Sequence, residues 1–287
     1  MLRDIKVLHL ESTDVCQAAC ALCARETDTE FNKNKHHHLD MRKIMQVIDS
    51  TRIAELDKMF MCGNYGDPAA GKYTLDIYRE FRKLNKSIVL GMNTNGGLQN
   101  TLWWHELGRI FNQPYDYTVF SIDGLEDTNA TYRRGVDWNK IMHNVEAYIA
   151  AGGSAHWDML VYQHNQHQVD DCEKMARQLG FKWFRAKVSK RPFVSGLKAP
   201  AAWHTVDFAT GPINCHALQE QSIFIDAQGR ESPCCWLGST QSNFIKNIAE
   251  VQPFWNTNPN IVCKSACSSN TTGTNFTNQW QRETQLN

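Results

Sequence analysis

Hydrophobic and polar positions follow two alternating periodicities over the first two thirds of the chain. Short apolar runs typical of buried strands occupy residues 5–11, 58–62, 87–92, 115–122, 156–162 and 181–187. Between these runs, apolar residues recur every three or four positions, which is the spacing of one helix face. The segment after Asn165 is an example, with Val169, Cys172, Met175, Ala176 and Leu179. Six strand and helix units in succession predict an α/β fold with parallel strands, either an α/β sheet or an incomplete barrel.

The alternation stops near residue 190. The following stretch has no clear period and is interrupted by Pro192, Gly196, Pro200, Gly211 and Pro212. Proline and glycine in this density are typical of a connection, so we expect a domain boundary here. The sequence therefore predicts a barrel domain over residues 1–195 and a smaller domain over residues 196–287.

The smaller domain has its own pattern. Residues 222–226 and 232–236 predict a β-hairpin with its turn at Gln228-Gly229, and residues 244–250 predict a short helix. The tail, residues 271–287, is rich in Asn, Thr and Gln, and we expect it to be frayed.

Composition narrows the class of protein. The chain has 287 residues and is 42% hydrophobic, which is enough to bury a core and excludes a disordered tail. Lys and Arg (30) balance Asp and Glu (30), which argues against nucleic acid or an anionic membrane as a partner. The sequence offers no transmembrane run and no secretory signal, so we expect a cytoplasmic protein.

The unusual number is the ten cysteines. Thiols are kept reduced in the cytoplasm, so a disulfide framework is not expected. Three of them, Cys16, Cys20 and Cys23, lie near one end of the chain, and a second group lies near the other. Clustered cysteines in a reducing compartment indicate metal binding.

The first group follows the first predicted strand directly. Three thiolates within one short loop can surround one metal cluster, but they are one ligand short of a closed zinc or [4Fe–4S] site. An open ligand position is typical of a site that also binds substrate or cofactor. The location agrees, because loops at the carboxyl ends of parallel strands form the active sites of such folds.

The spacing Cys16-x3-Cys20-x2-Cys23 resembles the signature of the radical S-adenosylmethionine (SAM) enzymes. Four further segments resemble motifs that this family places after successive strands, and a fifth strand ends in a polar residue as the family's does. These segments are Cys62-Gly63-Asn64-Tyr65-Gly66-Asp67, Asn93-Thr94-Asn95-Gly96-Gly97, Ser121-Ile122-Asp123-Gly124, Thr131-Tyr132-Arg133-Arg134-Gly135 and Gln163-His164-Asn165. Each alone is also compatible with an ordinary turn. Asp67 stands where the family more often has Glu.

The resemblance implies a partial (β/α)6 TIM-like barrel and a set of roles for the residues of its site. Cys16, Cys20 and Cys23 would hold a [4Fe–4S] cluster whose open iron is chelated by SAM, and reductive cleavage of SAM would give a 5′-deoxyadenosyl radical that abstracts hydrogen from a substrate. The residues expected to contact SAM are Gly63, Gly66, Asp67, Asn95, Ser121, Asp123, Arg133 and Asn165. Arg133 and Arg134 are candidates for the SAM carboxylate or a substrate anion, and Arg185, at the end of the sixth predicted strand, is a further candidate at the same mouth.

The second cysteine group resembles the twitch and SPASM auxiliary domains found after radical SAM barrels. Cys215, Gly229 and Cys234 reproduce a C-x9-15-G-x4-C opening, and Cys263-x3-Cys267 follows after a helix-length gap. This implies a second, auxiliary [4Fe–4S] cluster. The spacing selects Cys234 over its neighbour Cys235. Four thiolates imply a closed cluster that transfers electrons, and a structural zinc site is the alternative.

Cys62 ends the second predicted strand, near the place where the radical would form. A thiol there is a candidate hydrogen donor, and a small buried hydrophobic residue is the alternative. We expect the substrate to be a small polar metabolite, with a peptide or protein as the alternative, and the electron donor to be a flavodoxin or ferredoxin. A two-cluster electron carrier without catalysis is the interpretation from another class.

Overall fold

The structure, a computed structural model, describes residues 4–34, 36–189, 196–201, 211–239, 244–268 and 284–286. It has an α/β fold in which strands and helices alternate through the first 188 residues. The strands are β1 (Val7–Leu10), β2 (Lys58–Met61), β3 (Val89–Thr94), β4 (Tyr117–Ser121), β5 (Ala155–Val161), β6 (Trp183–Val188), β7 (Ser222–Ile225), β8 (Glu231–Ser232) and β9 (Thr284–Gln285).

Ten α-helices connect or flank these strands within the described residues. They are α1 (Ala24–Thr27), α2 (Met41–Met45), α3 (Ser50–Ala54), α4 (Thr74–Leu84), α5 (Thr101–Ile110), α6 (Glu126–Tyr132), α7 (Trp138–Ala150), α8 (Val169–Leu179), α9 (His216–Gln219) and α10 (Ile261–Cys267). Four of them begin after an Asp or Asn whose side chain accepts a hydrogen bond from the backbone N–H three residues on, which satisfies a free donor of the first turn. These residues are Asp40, Asp49, Asn100 and Asp137.

All strands belong to one sheet in the order β8-β7-β1-β2-β3-β4-β5-β6-β9. β7 and β1 to β6 pair in parallel, and β8 and β9 pair antiparallel at the two edges. The architecture is the predicted partial TIM-like barrel, with parallel strands that all finish at one mouth.

The barrel core lies between the sheet and the helices. Trp104 of α5 and Tyr148 of α7 are fully buried and meet edge to face with ring centroids 6.4 Å apart. Phe120 of β4 packs against both. On the inner face of the sheet, His9 of β1 stacks on Phe60 of β2 at 4.2 Å. Successive strand residues point to opposite faces of the sheet. The side chains of the inner face are therefore different from those that pack against the helices, and they line the barrel up to its mouth.

The predicted hairpin forms but does not stand apart from the barrel. β7 pairs in parallel with β1, with Phe224 opposite His9, and so extends the barrel sheet. The second strand ends at Ser232 rather than Trp236, because Pro233 has no N–H to donate to a strand ladder. The domain boundary at residue 195 stays a prediction, because residues 190–195 and 202–210 lie outside the described part of the chain.

Two predictions for the C-terminal region need correction. The segment 244–250 contains a single 3-10 turn, Ile248–Glu250, followed by a second, Gln252–Phe254. A helix cannot continue across Pro253, which lacks an N–H and clashes with the preceding turn. The tail is not frayed at its end, because Thr284–Gln285 pairs with β6; residues 269–283 lie outside the described ranges.

No helix among the described residues has the length and apolar character needed to cross a membrane.

Candidate functional site

The three cysteines of the first motif lie on the loop after β1, at the end of the sheet where the parallel strands finish. Cys20 is buried, and Cys16 and Cys23 are partly buried. Burial raises the pKa of Cys16 to about 12, with further contributions from the charges of Asp67, Cys20 and Cys23. The backbone N–H of Ala18 donates to Cys16 Sγ at 3.4 Å. The structure thus brings the three thiols together as one group at the barrel mouth.

The loop after β2 packs against this cysteine loop backbone to backbone. A Cβ atom at Gly66 would lie 1.9 Å from the carbonyl oxygen of Thr13, and one at Gly63 would lie 2.1 Å from the carbonyl oxygen of Gly66. Real Cβ contacts are never this short, so only glycine fits at these two predicted positions. We call the tightly packed backbone of residues 63–66 against Thr13 the cradle.

Glu11 holds this cradle in place, and the sequence analysis did not identify it. Its Oε1 atom accepts hydrogen bonds from the backbone N–H groups of Tyr65 at 2.7 Å and Gly66 at 3.3 Å. Burial raises the pKa of Glu11 to about 8, against the lowering effect of those two hydrogen bonds. The available signal was an acidic residue directly after a buried strand, which needs partners to be buried.

Asp67 fixes the turn after β3. Its Oδ1 atom accepts from Thr94 Oγ1 at 2.8 Å and from the Ala69 N–H at 2.9 Å, and its Oδ2 atom accepts from the Asn95 N–H at 2.7 Å. This places the side-chain amide of Asn95, which donates to Cys16 Sγ at 3.6 Å, beside the cysteine loop. Asp67 and Asn95 therefore both belong to the site.

Asp123 and Arg133 form a buried ion pair beside the cysteines. Arg133 Nε donates to Asp123 Oδ2 at 2.6 Å, while its Nη1 atom lies 3.9 Å from Cys20 Sγ. The second oxygen of Asp123 accepts from the Leu160 N–H at 2.6 Å. The carboxylate is fully buried and aims the guanidinium at the cysteine group. Ser121, at the end of β4, is partly exposed.

Asn165 is fully buried and joins two strand ends. Its Nδ2 atom donates to the carbonyl oxygens of Asp123 and Leu160, both at 2.9 Å, and its Oδ1 atom accepts from the Tyr162 N–H at 2.7 Å. These bonds use both N–H donors of the Asn165 amide and its carbonyl oxygen. These hydrogen bonds, like those of Asp123, join parts of the protein itself, and contact between SAM and the side chains of Asp123 and Asn165 stays a prediction.

Cys62 is partly buried at the end of β2. Its carbonyl oxygen lies 2.6 Å from His9 Nε2, and since a carbonyl only accepts, Nε2 carries the proton. Burial lowers the pKa of His9 to about 4, so the ring is neutral. This hydrogen bond fixes the backbone from which the Cys62 thiol projects. Its role as a hydrogen donor stays a prediction.

The four cysteines predicted for the second site also come together. Cys215 precedes α9, Cys234 follows β8, and Cys263 and Cys267 lie one helical turn apart on α10, a helix that was not predicted. A hydrogen bond from Cys267 lowers the pKa of Cys215 to about 7. Burial raises the pKa of Cys234 to about 12, with the charges of Cys215 and Cys263 contributing. The four thiols thus share one environment, as predicted for a common ligand set.

Cys235 lies apart from this set. It is buried, and the charges that act on it besides that of Cys234 are those of Cys62 and Glu11 in the barrel. Its carbonyl oxygen accepts a hydrogen bond from Asn64 Nδ2 at 2.9 Å. The carbonyl oxygen of Asn64 in turn lies 3.9 Å from the Sγ atom of Cys23. Asn64 therefore connects the cysteine loop of the barrel to the residue next to Cys234, a contact between residues 171 apart that the sequence analysis missed.

The donor atoms suit an iron–sulfur cluster. Within the described ranges, no three His, Cys, Asp or Glu side chains converge closely enough to ligate one metal ion. In a [4Fe–4S] cluster each thiolate binds a different iron, so its ligands surround a body larger than one ion. Both groups consist of cysteine alone, and thiolates are the ligands that such clusters use.

Comparison with known proteins agrees with this geometry. The sequence profile described as the radical SAM superfamily matches residues 10–179, which hold the cysteine loop and β2 to β5. A search of curated protein sequences finds no match.

Solved structures show the same fold at low identity. SuiB from Streptococcus suis bound to S-adenosylmethionine is similar with a TM-score of 0.61 and 13% identity over 89% of this chain and 67% of that one. SuiB bound to precursor peptide SuiA gives 0.60 and 13%, with 89% and 66% covered. Native anSMEcpe with bound AdoMet and Cp18Cys peptide gives 0.56 and 14%, with 79% and 73% covered. The chain spans about two thirds of the length of SuiB.

The profile match covers more than half of the sequence, and the chain belongs to the radical SAM superfamily.

Proposed function

We propose that the protein is a radical SAM enzyme that binds a [4Fe–4S] cluster through Cys16, Cys20 and Cys23, with SAM beside it. One observation carries the proposal: the three thiols share the barrel mouth with a backbone cradle that admits no side chain at Gly66. When bound, the cluster and SAM would together supply a one-electron cleavage of SAM, and the radical product would take hydrogen from a substrate. The protein's part is to bind, orient and exclude water.

The residues around the cysteines divide into two roles. Gly63 and Gly66 offer backbone for close approach of the methionine end of SAM. Arg133 would balance the SAM carboxylate, since its guanidinium is held 3.9 Å from Cys20 Sγ. Ser121 is partly exposed and accessible for a polar contact.

Asp67, Asp123 and Asn165 act through other groups. Their side chains are buried and hydrogen-bonded to neighbouring strand ends, so we assign them positioning roles. Asp67 sets the turn that carries Asn95, and Asp123 aims Arg133. Loss of any of them would shift the groups that contact SAM rather than remove a contact.

We further propose a second [4Fe–4S] cluster on Cys215, Cys234, Cys263 and Cys267. The shared environment of these thiols supports it, and a set of four leaves no open ligand position, which favours electron transfer over substrate binding. Zinc is the competing occupant. About eight irons per chain would support two clusters, whereas about four irons with one zinc would support the structural alternative.

The substrate would lie between the barrel mouth and the C-terminal cysteines. A small polar metabolite was the expectation from sequence, and a peptide is a second candidate because SuiB and anSMEcpe are recorded with bound peptides. We expect a flavodoxin or ferredoxin to supply the electron in the cytoplasm.

Anaerobic reconstitution followed by reduction with SAM tests the function. We expect 5′-deoxyadenosine and methionine in equal amounts from the wild type, and neither from the triple variant Cys16→Ala, Cys20→Ala, Cys23→Ala. Cys172→Ala is the matched control, since Cys172 is a buried thiol on α8 far along the sequence from either group. A wild type that binds iron but forms no 5′-deoxyadenosine would instead support an electron carrier.

A further inference from the structure

Three ionised side chains lie next to one another on the inner face of β5 and β6. Asp158 pairs in register with Arg185, and Lys187 is two residues closer to the mouth on the same face of β6. Asp158 Oδ1 accepts from Arg185 Nε at 2.7 Å, and Asp158 Oδ2 accepts from Lys187 Nζ at 2.7 Å. One carboxylate is therefore shared between two cations.

The sharing is strong and persists at neutral pH. Burial alone would raise the pKa of Asp158, but the charges of Lys187 and Arg185 lower it to about 2. The side chain of Arg185 is fully buried, whereas that of Lys187 is 24% exposed. Lys187 thus forms the boundary between the filled barrel interior and the open mouth.

Lys187 has unused donor capacity at this boundary. An ammonium has three N–H donors, and within the described part of the chain its hydrogen-bond partner is Asp158 alone. The next acidic group that acts on it, Asp123, is already paired with Arg133. Partial burial of an ammonium that shares its carboxylate with a second cation costs free energy. An anionic ligand that accepts hydrogen bonds from the remaining N–H groups would offset this cost.

This cation also lies on the side of the mouth where SAM is expected. Asp123 connects the two places, because it pairs with Arg133 near Cys20 and its charge acts on Lys187. Arg133 is assigned to the SAM carboxylate in the proposed function. Lys187 is then a second cation on the same side of the mouth as Arg133, without a SAM group assigned to it.

We propose that Lys187 binds a carboxylate of the substrate at the barrel mouth, with Asp158 and Arg185 as positioning residues that hold its ammonium. The inference rests on the proposed function, since it takes the mouth to be the substrate site. It restricts the substrate to compounds with a carboxylate: an amino acid, a related small acid, or a peptide that presents an acidic side chain or its carboxyl end.

The test uses glutarate as the probe and glutaramide as its neutral counterpart, at equal ionic strength, on the anaerobically reconstituted wild type. An amine-reactive reagent labels lysines, and peptide mass spectrometry follows the labelling rates of Lys187 and Lys182. Lys182 is exposed at the opposite end of β6 and serves as the internal control. We expect saturable protection of Lys187 by glutarate, with no protection by glutaramide or by SAM, and none of Lys182.

Thermal unfolding of variants provides a second readout that does not depend on turnover. Glutarate should raise the midpoint of the wild type and of Lys182→Met. For Lys187→Met, loss of a charge-assisted hydrogen bond should weaken glutarate binding about tenfold or more, and Lys187→Arg should restore part of it. If Lys187→Met does not fold, the arginine variant and the labelling decide.

Protection of Lys187 by SAM alone would assign the site to the SAM carboxylate and overturn the proposal. Equal protection by glutaramide, or none by glutarate, would overturn it as well. Because labelling and unfolding do not require SAM cleavage, a wild type that forms no 5′-deoxyadenosine would contradict the proposed function while leaving the carboxylate result separately readable.

Discussion

The two cysteine groups of this protein are supported in very different ways. The loop with Cys16, Cys20 and Cys23 rests on the ends of parallel strands, and Glu11, with the backbone of Gly66, fixes its surroundings. The C-terminal group rests on two short helices, α9 and α10, and a turn. Its described hydrophobic cluster contains three buried residues, Leu237, Val251 and Cys263.

This difference indicates which of the two sites can form in the absence of metal. Hydrogen bonds and backbone contacts of a large core hold the barrel site in position, so its geometry exists before a cluster binds. A cluster of three buried residues contributes only a few kcal/mol of hydrophobic stabilisation. Under the proposed function, the C-terminal site would therefore depend on metal–thiolate bonds for its cohesion, as small metal-bound domains do.

The largest effect should come from breaking the barrel cradle. In Gly66→Ala the new Cβ atom would lie 1.9 Å from the Thr13 carbonyl, so the cysteine loop must shift. We expect the rate of 5′-deoxyadenosine formation to fall about 100-fold or more, because misplacement of about 1 Å has effects of this size. Gly152→Ala is the control for backbone strain without a clash: its φ of 93° is one that L side chains rarely adopt, but nothing lies within 4 Å of a Cβ there. Similar activity losses in both variants would contradict a preformed cradle.

Removal of metal should separate the two regions. After chelation, we expect amide hydrogen exchange to increase about tenfold or more in residues 211–220, 233–239 and 244–268, because the proposed metal bonds would hold these segments together, whereas β7 and β8 are held by the barrel sheet. Exchange in β2 to β5 should stay unchanged. Hydrogen–deuterium exchange with mass spectrometry reads both regions in one sample. Equal protection of the C-terminal region with and without metal would show that its own packing is sufficient.

Glu11 gives the barrel site a pH dependence that comes from a carboxyl group rather than from a thiol. Its pKa rises from 4.5 to about 8 on folding, so its stabilising contribution is complete below pH 4.5 and is lost as pH rises through about 8. Glu11→Gln does not titrate and keeps an acceptor for the Tyr65 N–H. We expect the free energy of unfolding of Glu11→Gln to rise relative to that of the wild type as the pH increases from 5 to 8. A constant difference across that range would contradict burial of a neutral carboxyl group.

The smallest effect concerns the contact between the regions. Asn64→Asp keeps the shape of the side chain but removes the N–H that donates to Cys235. We expect a loss of about 1 kcal/mol in urea unfolding, the usual net value of one hydrogen bond. Asn112→Asp, on an exposed residue, is the matched control. No difference between the two variants would mean that Asn64 does not hold the groups together.

The sequence predicted the periodic parts of the molecule well. All six barrel strands were found to within a few residues, because buried strands are apolar and helices repeat every 3.6 positions. Both cysteine groups were also visible in the sequence, since their thiols are close in the chain or match a fixed spacing, and their role as cluster ligands stays a prediction. Strands, helices and clustered cysteines can be recognised from residues that are close together in the sequence.

Long-range relations could not be found in this way. The pairing of β7 with β1 and the contact of Asn64 with Cys235 join distant segments and leave no local signal. The contact of Asp158 with both Arg185 and Lys187 depends on the register between β5 and β6. An error of one residue in that register would place these side chains on opposite faces of the sheet. Asp123 and Asn165 matched family positions, but their internal hydrogen bonds became visible only in three dimensions.

Low-temperature electron paramagnetic resonance of the reduced, reconstituted protein tests the central claim most directly. The account predicts two [4Fe–4S] signals, of which SAM shifts only the one that disappears in the triple variant of Cys16, Cys20 and Cys23. The signal that remains should be insensitive to SAM and should disappear when Cys234 and Cys267 are replaced by alanine. A SAM-induced shift of the C-terminal signal, or of neither signal, would contradict the assignment of an open site to the barrel and a closed one to the C-terminal region.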